Sequence, residues 1–136
     1  MHIDEIVKTL PALFCSLLVS VLFIQSGLDK IFDWKGNLEF LKSHFSKTFL
    51  AGMVAPMMAT ITLMETATGI LAAAGIIYFL VSASTVIIFY ASVIGALSVV
   101  SLFFGQRVAK DYPGAAVLVP YFLLLIVTMY LTEPYR

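Results

Sequence analysis

The stretch ITLMETATGILAAAG, Ile61–Gly75, decides the reading of this chain. Glu65 stands at its centre, and no other acidic or basic residue falls between Lys47 and Arg107. A carboxylate at bilayer depth costs roughly 2.5–3.5 kcal/mol on insertion scales, so one retained there points to function first. Thr62, Thr66, Thr68 and Gly69 surround it. Small and hydroxylated residues of this kind let membrane helices approach closely and offer hydrogen bonds to a carboxyl. The pattern predicts an all-α integral membrane bundle organised around one buried acid.

Composition agrees. Of 136 residues, 61% are hydrophobic and 12% charged, far too apolar for an ordinary soluble domain. The length fits a single domain, residues 1–136. Eight basic and eight acidic residues balance, so no nucleic-acid partner is expected. Cys15 is the one cysteine, which excludes an intrachain disulfide and a cysteine-based metal cluster. In its apolar run it reads as a small buried hydrophobe. Asp4, Glu5 and Lys8 mix charges where a signal peptide would be basic, and no small-x-small site closes the first apolar run. That segment is therefore expected to be a span.

A bilayer core takes about 20 apolar residues per helix. The first span is predicted at about 10–32, with Pro11 in its first turn. Near its far end, Gln25 and Asp29 share one face, and Ser26 and Lys30 another. Either this is a hydrated helix end with a snorkelling lysine, or it faces a substrate. Between Asp33 and Thr48, Trp34, Leu38, Leu41, Phe45 and Phe49 recur at helical spacing, with Lys35, Glu39, Lys42, Ser43 and Lys47 on other faces. A short amphipathic helix in the headgroup region follows, anchored by Trp34. His44 beside it is expected to be solvated. The apolar stretch from Phe49 to Phe104 would form a helix of about 80 Å, so it must hold two spans. These are placed at about 52–74 and 79–104, with the turn between Gly75 and Ser84. The fourth is placed at about 115–131, after the turn chemistry of Pro113-Gly114.

Four spans put both termini on one side. Lys30, Lys35, Lys42, Lys47, Arg107 and Lys110 fall in the connections after spans one and three, against Lys8 and Arg136 opposite. The positive-inside rule then places both polar connections in the cytoplasm and both termini outside. Gln25, Asp29, Lys30, Gln106, Arg107, Lys110 and Asp111 gather near that face, with Glu65 behind them. A polar mouth leading to a buried acid suits proton transfer, or a polar headgroup with an apolar tail. Burial favours the neutral form of a carboxyl unless a cation pairs with it, and Arg107 qualifies only by folding inward. Equally, Glu65 fits a structural role, hydrogen-bonding its neighbours through Gln25 or the hydroxyls. No pair of intramembrane histidines offers to ligate haem, and no Cys/His set to hold zinc. No glycine-rich phosphate loop follows a strand, and the serines lack a histidine base. No tightly bound cofactor is expected.

GLDKI at Gly27–Ile31, ETATGILAAAG at Glu65–Gly75 and GQRVAKDYPGAA at Gly105–Ala116 resemble, in order and spacing, the DoxX family of small four-helix membrane proteins. The first span lacks the early arginine frequent in that family. The resemblance implies a bacterial inner-membrane bundle, named for a subunit associated with thiosulfate:quinone oxidoreduction. On that analogy Glu65 is a proton-relay residue, and Gln25, Asp29, Lys30, Gln106 and Arg107 line a site for an exchangeable quinone or similar amphiphile. Three functions stay open: a membrane subunit of a redox system with a larger protein partner or as a homo-oligomer, a non-catalytic assembly subunit, and a small transporter or lipid-binding protein.

Overall fold

The computed structural model describes residues 2–134, so Arg136 of the charge count lies outside the described residues. Five α-helices follow in order: α1 (Ile3–Phe32), α2 (Trp34–His44), α3 (Val54–Ser82), α4 (Val86–Val108) and α5 (Tyr112–Thr132). A 3-10 turn at Ala51–Met53 leads into α3, and no strand occurs among the described residues. Four helices, α1, α3 with its leading turn, α4 and α5, are long and apolar enough to cross a membrane. The protein is thus an all-α bundle of four spans plus the short α2.

Packing closes a ring in which α1 and α4 each lie against both α3 and α5. Small residues set the closest seams. A Cβ on Gly69 would lie 2.6 Å from the backbone N of Ile24, and one on Gly27 would collide with Thr66 Oγ1. Ser16 Oγ donates to the Ala72 carbonyl at 2.8 Å, a hydrogen bond from α1 to α3. These contacts fix α1 and α3 antiparallel, with Gly27 beside Thr66 and Ser16 beside Ala72. The core between the helices is built from Val19, Phe23, Ala72, Ala91, Ala96, Val99 and Leu125. The buried Thr62, Thr68, Ser92, Ser98 and Thr128 turn their hydroxyls back to carbonyls of their own helices. Such back-bonding satisfies the hydroxyl without a partner across the seam.

Several boundaries differ from expectation, the start of α1 and the α3–α4 turn for identifiable reasons. α1 starts at Ile3, because Asp4 and Glu5 in the first turn suit the positive helix end. Pro11 consequently lies inside the helix rather than in its first turn, with its ring on the exposed side. α3 continues through Gly75 to Ser82. Gly75 is a packing residue rather than a turn residue, since a Cβ there would sit 2.9 Å from the Ile88 backbone N. The turn instead falls at 83–85, where Ala83 takes φ 59° and its N–H bonds the Phe79 carbonyl at 2.7 Å. Spans three and four accordingly run at Val86–Val108 and Tyr112–Thr132.

The other end of the bundle uses one device twice. Asp33 caps α2 by accepting from the Gly36 N–H at 3.3 Å, and Asp111 caps α5 by accepting from Gly114 at 3.0 Å. A Cβ at either glycine would meet the capping carboxylate. Asp33 also ends α1, its N–H bonding the Asp29 carbonyl, so α1 turns directly into α2. The amphipathic helix lies across this end. Leu38, Leu41, Phe45 and Leu50 pack on Val54, Met57 and Val108, while Lys35, Glu39, Lys42 and Lys47 are exposed. Trp34 is half-buried, and Phe49 points outward.

Candidate functional site

Glu65 sits on the face of α3 that meets α1 and is 1% exposed, as fully buried as the apolar core. Its partner is Lys30. The Lys30 Nζ stands 3.1 Å from Oε1 and 3.3 Å from Oε2, and it reaches Ser26 Oγ at 3.3 Å. Oε1 is the nearer oxygen but lies off the hydrogen-bonding direction, so Oε2 accepts the bond and Oε1 is held by charge alone. Ser26 and Lys30 are one turn apart on α1, and the glycine seam brings that face onto Glu65. None of the three threonines around the acid bonds it. Thr62 and Thr68 serve their own backbone, and Thr66 Oγ1 is buried against Gly27 with no hydrogen-bond partner.

Lys30 also lines a cavity of about 820 Å³ at the α2 end of the bundle. Met53, Met57, Met58 and Met64 from the 3-10 turn and α3, with Phe104 from α4, make its wall mainly apolar. α2 and the loop after it roof the cavity with Asn37, Phe40, Leu41 and Phe45. Pro56 and Thr60 of α3 and Val100 and Ser101 of α4 are exposed parts of its lining, as are Phe40, Met53 and Phe104. Glu65 is not part of the wall. Lys30, with 19% of its side chain exposed, is the residue that touches both the cavity and the buried acid.

The remaining polar residues divide into three places. Gln106 lines the cavity and is 2.8 Å from His44 Nε2, which also lies 3.6 Å from Asp111 Oδ2. His44 is therefore a half-buried tie between α2 and the α4–α5 turn, not a solvated side chain; Phe40 stacks on its ring at 5.5 Å. Arg107 does not fold inward: it is exposed, with its guanidinium 4.5 Å from the Tyr112 ring centroid. Gln25 and Asp29 point to the opposite side of α1, where with Ser20 and Phe32 they border a shallow groove of about 410 Å³. The structure thus joins Lys30 and Gln106 in one cavity, with Glu65 behind Lys30, and separates Gln25, Asp29 and Arg107 from it.

His44 is the residue whose role sequence reasoning missed; its spacing from Leu41 and Phe45 on the packed side of α2 was the available signal. Among the described residues, no three His, Cys, Asp or Glu side chains group as a metal site requires. Chemically, the arrangement offers an apolar chamber with one cation at its inner wall, held by a carboxylate the chamber does not reach. No family model, curated protein or solved structure matches this chain.

Proposed function

We propose that this chain is an inner-membrane subunit of a redox system that holds a quinone or similar small amphiphile and relays protons through Lys30 and Glu65. The observation that carries the proposal is the double contact of Lys30, to the methionine-lined cavity and to the buried Glu65. Cavities for small ligands are mostly apolar with few, placed polar groups. An ion pair at the inner wall places a proton-bearing ammonium next to the ligand and a carboxylate behind it. The redox part draws on the DoxX-like motifs, with electron transfer assigned to a protein partner. Replacing Glu65 by Gln tests the relay, because the amide keeps shape and hydrogen bonding but does not titrate near neutral pH. Quinone-linked turnover in membranes carrying only the variant is expected to fall by about 100-fold, in the range general acid–base groups contribute. Some thermal stability in detergent is expected to be lost as well, because Lys30 gives up its counter-charge, so turnover is compared at equal amounts of folded protein. A fully active Glu65→Gln protein would leave the assembly-subunit reading ahead. That second reading draws on Gln25 and Asp29, polar groups on the outer face of α1 where a partner helix has access.

For orientation we propose that α2 and the α4–α5 turn lie in the cytoplasm. They meet at one end of the bundle through His44, Gln106 and Asp111, and they carry most of the basic residues. Cysteine placed at Lys42 or Lys110 in a Cys15→Ser background is expected to resist an impermeant thiol reagent in intact cells and to react after lysis. A cysteine at Lys8 should label without lysis. Labelling of Lys42 and Lys110 positions from opposite sides would break the four-span topology.

A further inference from the structure

We infer that the cavity selects an uncharged headgroup presenting an acceptor oxygen, of the carbonyl or ester kind, because Glu65 cancels the charge of Lys30 and so denies anions a free cation. The proposal rests on the amphiphile reading above and adds the class of headgroup. Among the described residues Lys30 is the only charged one in the cavity wall, and Glu65 balances it from behind at 3.1 Å. A carboxylate, sulfonate or phosphate entering the cavity has to share that ammonium with Glu65. Two anions then stand within reach of one cation where little water screens them, an arrangement that strongly disfavours both charges. A cationic headgroup meets Lys30 and finds no acid, because Glu65 is closed off from the cavity.

Hydrogen-bond direction narrows the class further. An ammonium only donates. Two of its three N–H groups go to Glu65 Oε2 and Ser26 Oγ, which leaves one for a ligand. Gln106 adds a second donor. His44 Nε2 faces two acceptors, Gln106 Oε1 and Asp111 Oδ2, so it carries the proton and occupies Oε1. The amide NH2 of Gln106 is then left to the cavity side. Asn37, at the roof, instead commits its Nδ2 to the Asp29 and Asp33 carbonyls. The inner wall therefore donates, and a neutral acceptor oxygen is what matches it.

Binding of the full chain in nanodiscs of a zwitterionic phospholipid decides the matter, with two probes of equal chain length. One is a benzoquinone bearing a decyl tail; the other is decanesulfonate, which stays anionic. Wild type is expected to bind the quinone at least about tenfold more tightly, a difference of about 1.4 kcal/mol. In Glu65→Gln, Lys30 loses its counter-charge, and decanesulfonate is expected to gain at least about tenfold while the quinone changes little. The double variant Lys30→Gln/Glu65→Gln removes both charges, keeps a donor at position 30 and covers the case in which the single variant misfolds. It is expected to bind both probes as wild type does; a tenfold loss of sulfonate binding would show that Lys30 attracts anions in spite of Glu65 and would overturn the inference. Equal binding of both probes by wild type, or discrimination unchanged in Glu65→Gln, overturns the headgroup inference while sparing the amphiphile site. No binding of either probe overturns the amphiphile reading, and this inference with it.

Discussion

Lys30→Met is expected to destabilise the bundle by about 3–5 kcal/mol, the penalty for breaking a buried ion pair from one side. The thioether fills the lysine stem's space but leaves Glu65, 1% exposed, without the ammonium that pairs with it. Ser26 is the other group on Lys30, and no threonine hydroxyl turns to the acid, so nothing local replaces the ammonium. Thermal unfolding in detergent should show a fall on the order of 10 °C. Adding Glu65→Leu should recover most of the loss, since replacing a whole buried pair by apolar residues is often neutral or stabilising. A single variant as stable as the double one would mean that Glu65 finds another partner.

Gly69→Val is expected to act nearly as strongly, by steric means. A Cβ at position 69 lies 2.6 Å from both the backbone N and Cγ1 of Ile24. Backbone has no rotamer to change, so α1 and α3 must separate. Overpacking of this kind costs about 1–3 kcal/mol and occasionally more. Separation also draws Lys30 away from Glu65, one helical turn from Gly69, and the two losses compound. Gly95→Val makes the informative comparison, because there the new Cβ meets the ends of Leu125 and Thr68 side chains, which can shift. Gly52→Val is the control: nothing lies within 4 Å, and no measurable change is expected. Melting temperatures should fall in the order Gly69, Gly95, Gly52, the first largest. Equal effects at Gly69 and Gly52 would disprove the close seam.

Four spans and a buried Glu65 were legible because both follow from hydropathy and the rarity of charge in an apolar run. The amphipathic helix was legible for the same reason, from the spacing of Leu38, Leu41 and Phe45. What was not legible depended on register between helices. Gln25 and Lys30 sit close in sequence, yet α1 turns them to different sides, and only the antiparallel seam at Gly27 and Gly69 shows which one faces the acid. Ser26 sharing a face with Lys30 was the part of that answer available beforehand. Arg107 qualifies as a partner for the acid only by folding inward, and Tyr112 lies close enough to hold its guanidinium outside. Gly75 illustrates a different limit. A glycine at a turn and a glycine under a neighbouring helix look identical until the neighbour, Ile88, is in place.

If the proposed amphiphile enters the cavity between α3 and α4, affinity takes on a different meaning for this protein. Pro56, Thr60, Val100 and Ser101 are exposed lining residues on helices long and apolar enough to cross a membrane, so a ligand entering past them would come from the bilayer rather than from water. A ligand arriving there is already dissolved in the leaflet, and its competitor for the chamber is the surrounding lipid. Occupancy then follows the ligand's mole fraction in the membrane, not its aqueous concentration. Diluting the protein with more bilayer at fixed total ligand empties the site, and a dissociation constant quoted in molar units carries the lipid content of the sample inside it.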